Sequence, residues 1–424
     1  MALSSERNQR LQTTTTQPSP ADRTSAPSFA RRFGNPLVTG GVALAGWLAF
    51  VLIRLEIWGK GQISYFIGVG VGYANKADLP HGIYQVLKAG YDGQFYYRLA
   101  LNPLNWATTA YGIRMDQPYR YTRIGYPLVT WLVSFGQHSW VPVMLVVVNL
   151  ASVTAIGVLG GMLAKESGRN ALWGLLFVAY FGLVISVGRD TMEPLSDACM
   201  LAGMLCYRRE RYVWAGVLIA YSVVTNETVL GLAVAIGLLR VWQWWKARAI
   251  KLEQKDLAWV LPGAAYVLLE LAQSLFAGLK GAGASSDATR NLTLPLQGVI
   301  DGLYTDFRQM SWTHMGLYDY NLLEFVTLAA FVVTALVLIR KSALPAHEKL
   351  AFLLFVLIEF VMASDAIWGS VFGELRTQVE AWIFSVLVLL ATPTRYLPRR
   401  RLAALAVLAV VTLVVVARRR VLYQ

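Results

Sequence analysis

The sequence predicts an all-α fold: a polytopic transmembrane helical bundle of about eleven spans, with a long first external loop carrying amphipathic interfacial helices. Three observations predict it. Of 424 residues, 56% are hydrophobic and only 15% are charged, which excludes both a disordered chain and an ordinary soluble domain. Apolar runs of roughly the 20 residues that a bilayer crossing requires recur along the chain. Lys and Arg gather at the ends of those runs, in "RRF" at Arg31, "CYRRERY" at Arg208, "KARAIKLEQK" from Lys246 and "RYLPRRR" from Arg395, where the positive-inside rule puts them. The net charge of +13 therefore reads as membrane topology and not as a nucleic-acid surface.

Residues 1–36 are rich in Ser, Thr, Gln, Pro and Arg without an apolar period, and read as a disordered cytosolic tail. The apolar run that follows starts too late and runs too long for a cleaved signal peptide. Residues 37–424 form a single polytopic membrane domain. Its first span covers Leu37–Trp58, with Arg54 and Glu56 near enough to the end to snorkel. Residues 59–139 make the first external loop, polar and aromatic as far as Arg123. The stretch Ile124–Gln137 is read as non-spanning, because a crossing there would reverse the charge bias of every later loop. Further spans are expected near 140–163, 171–187, 194–207, 212–225, 228–244, 257–276, 321–339, 349–366, 377–393 and 401–417. A second external loop lies at 277–320. With the tail inside, the inner loops collect most of the Lys and Arg, and only the terminal "RRR" at Arg418 breaks the rule.

This orientation gathers both long loops and many acids on the non-cytosolic face. In "YDGQFYYRLA" (Tyr91–Ala100), Asp92 suits the N-cap of a helix whose Phe95 and Leu99, with Tyr96 nearby, would lie in the headgroup region. Capping alone and a catalytic role both remain open for it. In "DQPYRYTRIGYP" (Asp116–Pro127), Arg120 and Arg123 stand among tyrosines, a setting that suits a phosphate group or simple headgroup anchoring. "GRDTMEPLSDACM" spaces Asp190, Glu193 and Asp197 at i, i+3 and i+7, with Pro194 fit for a first helical turn. They either line the mouth of a span or serve as a cap with an ion pair to Arg189. "VVTNETVLG" inserts Asn226 and Glu227 between two apolar runs. Arg376, in a loop with Asp365 and Glu374, is another candidate phosphate clamp. Glu270, Glu359 and Glu380 fall inside spans and need protein or water partners. Cys199 and Cys206 read as small core residues. The four His are scattered, and no HExxH, CxxC or DxD spacing announces a metal site.

Over roughly 40–230, the order of a first span, a long external loop with an Asp beside aromatics, and then many spans resembles the GT-C-type integral membrane glycosyltransferases. "YDGQFYYRLALNP" with "DQPYRYTRIGYP" resembles bacterial polytopic proteins related to protein mannosyltransferase-like and GPI-mannosyltransferase-like enzymes, and "TMEP" and "TNET" look like the acidic positions that follow there. The resemblance implies transfer of a sugar from a polyprenyl-phosphate-linked donor to a lipid, glycan or protein acceptor, on the non-cytosolic face of a bacterial inner membrane. It implies that Asp92 is the general base or orients the acceptor. Glu193, Asp197, Glu227 and Tyr96 are then candidates for substrate and acceptor binding, and Arg120, Arg123 and Arg376 for holding the lipid phosphate. No cofactor and no nucleic acid are implied, and the DxD-like element of the family's metal-dependent members is missing. A secondary transporter and a lipid-linked glycan polymerase or ligase are the alternatives. The transporter would carry a repeat between its two halves, and none is visible.

Overall fold

A computed structural model describes residues 34–86, 90–276, 293–311, 313, 315–362, 368 and 374–418. The expected tail falls almost wholly outside these residues, as do 277–292 of the second loop and Asp365. Among the described residues the chain is helical nearly throughout. The helices are α1 (Pro36–Ile57), α2 (Gly93–Leu101), α3 (Gly125–Val133), α4 (Val141–Glu166), α5 (Leu175–Val178), α6 (Leu183–Gly188), α7 (Glu193–Arg208) and α8 (Tyr212–Val223). They continue as α9 (Leu230–Ala247), α10 (Leu257–Phe276), α11 (Gln297–Gln309), α12 (Leu317–Leu338), α13 (Ala346–Phe360), α14 (Val379–Leu390) and α15 (Arg399–Ala417). Two short ribbons complete the first loop: β1 (Val69–Gly70) runs parallel to β2 (Gln85–Val86), and β3 (Thr109–Ala110) pairs antiparallel with β4 (Ile113–Arg114).

Among the described residues, six stretches are long and apolar enough to cross a membrane: α1, α4, α12, α15, Glu227–Ala247 around α9, and Gln254–Phe276 around α10. Their outer faces are apolar too. Leu48, Leu52 and Ile53 of α1 and Val267, Leu268 and Leu275 of α10 are exposed, as lipid-facing side chains must be. Between helices the chain uses small residues. A Cβ on Gly157 of α4 would lie 3.2 Å from the Gly40 Cα, and one on Gly161 would lie 3.0 Å from Thr39 Oγ1. This G-x-x-x-G face lets α1 and α4 approach closely, the main source of helix attraction in lipid.

The helices fall within a few residues of the expected runs, with three informative differences. The expected continuous run at 171–187 is broken into a 3₁₀ turn (Ala171–Gly174), α5 and α6. The break at 179–182 is buried, and irregular backbone at membrane depth is tolerated only inside protein. Tight contact enforces it: a Cβ on Gly174 would stand 2.2 Å from the Gly161 N, and the Tyr180 hydroxyl donates to the Leu375 carbonyl. Second, α2 does not lie in the headgroups as an amphipathic anchor. All nine of its residues are buried, because Gly93 lets its backbone come against Arg189 O, where a Cβ would be only 2.2 Å away. Third, the second loop holds α11, and α12 begins inside it at Leu317. The stretch read as non-spanning contains only the nine-residue α3, about 13 Å long at 1.5 Å per residue.

Helix α11 packs on α12 and α13 and buries Asp306, whose Oδ1 accepts from Asn321 Nδ2 at 3.4 Å. Burial pushes this carboxyl up to about 6, against the opposing pull of the Asn321 bond. With the folded value above the unfolded value of about 4, the stabilising contribution is complete below that lower value and is lost as pH rises through about 6. Asp306→Asn is expected to abolish this slope and to raise stability at pH 7 by about 2 kcal/mol. Thermal unfolding in lipid nanodiscs across this pH window reads both effects.

Candidate functional site

Local sequence decides where each charged side chain stands. Asp92 occupies the N-cap position of α2, yet it has helical φ and ψ and its side chain makes no capping bond. Its carboxylate instead bridges two arginines. Oδ1 accepts from Arg120 Nη2 at 2.7 Å, and Oδ2 accepts from Arg376 Nη2. Arg120 sits on the 3₁₀ turn Pro118–Tyr121, which Pro118 helps to start, and Arg376 sits on the turn Glu374–Gln378 ahead of α14.

Each guanidinium has further support. Arg120 is gripped by Asp116 through Nε and Nη2, both at 3.0 Å, and lies 4.9 Å from the Phe95 and Tyr119 ring centres. Arg376 lies 5.0 Å from the Tyr91 ring centre, and its Nη1 stands 3.2 Å from Glu193 Oε1. Arg123 shares the Tyr119 ring at 4.5 Å and pairs with Glu227, Nε donating to Oε2 at 2.8 Å and Nη2 to Oε1. Such planar guanidiniums held by carboxylates and rings are well suited to bidentate anion recognition. Among the described residues, Arg120 Nη1 and Arg376 Nε are buried without a hydrogen-bond partner.

Burial alone would push the Asp92 carboxyl up. The Arg120 and Arg376 charges outweigh it and hold the group well below the usual carboxylate range. In this state Asp92 is firmly ionised and a weak base.

The acids of "TMEP" and "TNET" reach the same network. Glu193 opens α7 with Pro194 in its first turn, and its Oε2 accepts from the Thr191 hydroxyl. Asn226 caps the turn before α9 by accepting from Thr228 N at 3.4 Å, and donates to Glu380 Oε1 at 3.2 Å; the Thr228 hydroxyl donates to the same oxygen. Glu380 thus has the polar partners that an intramembrane acid requires. Asp197, one turn into α7, is fully buried, and among the described residues neither of its oxygens has a hydrogen-bond partner.

Tyr96 is buried, its hydroxyl donating to the Met192 sulfur and its ring 6.0 Å from that of Tyr126. Arg189 donates to the Tyr65 carbonyl at 3.1 Å and to the Tyr65 hydroxyl at 3.0 Å. Sequence reasoning missed the Asp116 clamp, for which the i, i+4 spacing to Arg120 was an available signal. It also missed the left-handed backbone at Asp190, φ +49°, a conformation that Asp adopts more readily than most residues. Among the described residues, no group of three or more His, Cys, Asp or Glu is arranged to hold a metal ion.

Fold and site together define a polytopic helical integral membrane protein with largely buried ion pairs that join its first loop to the start of α7 and to the turns before α9 and α14. Comparison with protein-family models, curated proteins and solved structures finds no match.

The Arg123–Glu227 pair joins the first loop to the α8–α9 turn. Arg123→Gln and Glu227→Gln are each expected to destabilise, and the double variant to cost less than their sum, with a coupling of about 1–2 kcal/mol. A double-mutant cycle on thermal unfolding in nanodiscs measures it; additive effects would count against a functional contact between these elements.

Proposed function

We propose that this protein is a membrane glycosyltransferase that moves a sugar from a polyprenyl-phosphate-linked donor to an acceptor on the non-cytosolic face. The observation that carries this reading is the convergence of Arg120, Asp92, Arg376 and Glu193 into one chain of ion pairs, with the Arg123–Glu227 pair joined to it across the shared Tyr119 ring. In the full reading about eleven crossings are made, with the short α7, α8, α13 and α14 and the broken α5–α6 stretch joining the six long helices. The tail lies in the cytosol and the membrane is the inner membrane of a bacterium.

The step follows from elementary chemistry. The acceptor hydroxyl oxygen attacks C1 of the sugar, and its proton passes to the Asp92 carboxylate. The bond from C1 to the phosphate oxygen breaks, and its electron pair leaves with the polyprenyl phosphate. Arg120, Arg123 and Arg376 stabilise the charge that develops on that phosphate, in a setting sheltered from water. Glu193 holds Arg376 in place, Glu227 holds Arg123, and the exposed apolar faces of the long helices offer the lipid chain a path to the site.

Asp92→Asn is expected to lower transfer by at least about 10²-fold, and Arg376→Gln by about 10²-fold, with both variants still inserted in the membrane. Transfer of radiolabelled sugar from a polyprenyl phosphate donor in isolated membranes measures both. Near-normal transfer by Asp92→Asn would remove the general-base assignment.

A further inference from the structure

Asp92 and its arginines make an anion site whose anion is the protein's own side chain. One carboxylate oxygen goes to Arg120 and the other to Arg376, so a two-oxygen anion bridges two cations from opposite ends of the chain. Each cation has other supports as well. Arg120 donates two bonds to Asp116 and lies against the Phe95 and Tyr119 rings, and Arg376 stands beside Glu193 and the Tyr91 ring. The carboxylate also leaves donors unused: Arg120 Nη1 and Arg376 Nε are buried without hydrogen-bond partners among the described residues. A phosphate ester has non-bridging oxygens enough to span the same two guanidiniums and to reach those donors as well. The guanidiniums of Arg120, Arg123 and Arg376 face the carboxylates of Asp92, Asp116, Glu193 and Glu227, one carboxylate more than there are cations, so an incoming anion must displace a carboxylate to reach Arg120 and Arg376.

We infer that Asp92 is a stand-in for the ligand: a phosphate ester takes over Arg120 and Arg376 on binding, and the same exchange releases the Asp92 carboxylate for use. This rests on the phosphate-site reading above and deepens it by fixing an order of events. The donor phosphate binds first, and only then does Asp92 become able to take the acceptor's proton. The physical reason lies in the balance of effects on Asp92. With the two arginines taken by phosphate, the cations that hold its proton affinity down are neutralised, and burial, which pushes it up, remains. A water molecule entering before the donor would meet a carboxylate too weakly basic to activate it, so the ion pair also guards the resting site.

The test measures binding of farnesyl phosphate, a short soluble prenyl phosphate, to the whole protein in nanodiscs by calorimetry, with farnesol as the uncharged control. Asp92→Asn is expected to bind farnesyl phosphate at least tenfold more tightly than the wild type, farnesol binding to be unchanged, and Arg376→Gln to bind farnesyl phosphate more weakly than the wild type. Equal or weaker binding by Asp92→Asn, with clear binding by the wild type, overturns the stand-in role and leaves the phosphate site. Failure of both proteins to bind overturns both. Should Asp92→Asn not yield folded protein, infrared difference spectra of wild-type protein carrying ¹³C-carboxyl aspartate serve instead. One Asp carboxylate band is expected to shift when farnesyl phosphate is added, and unchanged bands contradict the inference.

Discussion

The bridge from Asp92 to Arg120 and Arg376 is the interaction on which the rest of the site depends. It closes a link between residues 284 positions apart in sequence, tying the start of α2 to the turn before α14. Buried ion pairs of this kind add little net stability compared with apolar packing, because desolvation cancels much of the attraction. Breaking one by removing a single partner is strongly destabilising, since the remaining charge stays buried. The chain therefore gains position from this bridge more than it gains stability. Arg120 and Arg376 come to face the same point, and the acids and rings around them are arranged to keep them there.

The position of Arg376 is in turn set by the apolar interior. A Cβ on Gly182 would lie 2.8 Å from the Arg376 Cα, and the Tyr180 hydroxyl holds the carbonyl of Leu375 next door. The Tyr180 ring lies 5.2 Å from that of Trp382 on α14, which packs on Phe331 of α12 at 4.0 Å and donates its indole N–H to the Leu176 carbonyl at 2.8 Å. The broken helix at 171–188 is thus the bearing surface for the turn that carries Arg376. A continuous span would have left neither the carbonyl pocket nor the close approach. Functional side chains held by such locked neighbours keep their geometry.

Much of this architecture was legible in the sequence, because a bilayer imposes a coarse and regular demand: apolar runs of fixed length with cations at their ends. The six long apolar helices, α1, α4, α9, α10, α12 and α15, follow from that demand. The acidic and basic stretches that build the site were also visible one by one, in "YDGQFYYRLA", "DQPYRYTRIGYP", "TMEP" and "TNET". Their pairing was not. Nothing local says that Asp92 meets Arg376, or that Arg123 meets Glu227, because such contacts depend on how helices pack and not on any period in the chain. The burial of α2 was hidden for the same reason: its mixed polar and aromatic pattern fits a membrane surface as well as a protein interior, and only the contact of Gly93 with Arg189 decides between them. The break in the helix at 171–188 escaped notice because an unbroken apolar run looks the same whether it is straight or folded back.

A cryo-electron microscopy structure of the protein in nanodiscs, with and without a prenyl phosphate, tests whether Arg120 and Arg376 form a phosphate site that Asp92 fills at rest. The expected result is density for the phosphate between the two guanidiniums, with Asp92 turned away from both and Asp116 still on Arg120. Phosphate density elsewhere, with Asp92 still bridging the two arginines, would rule the exchange out.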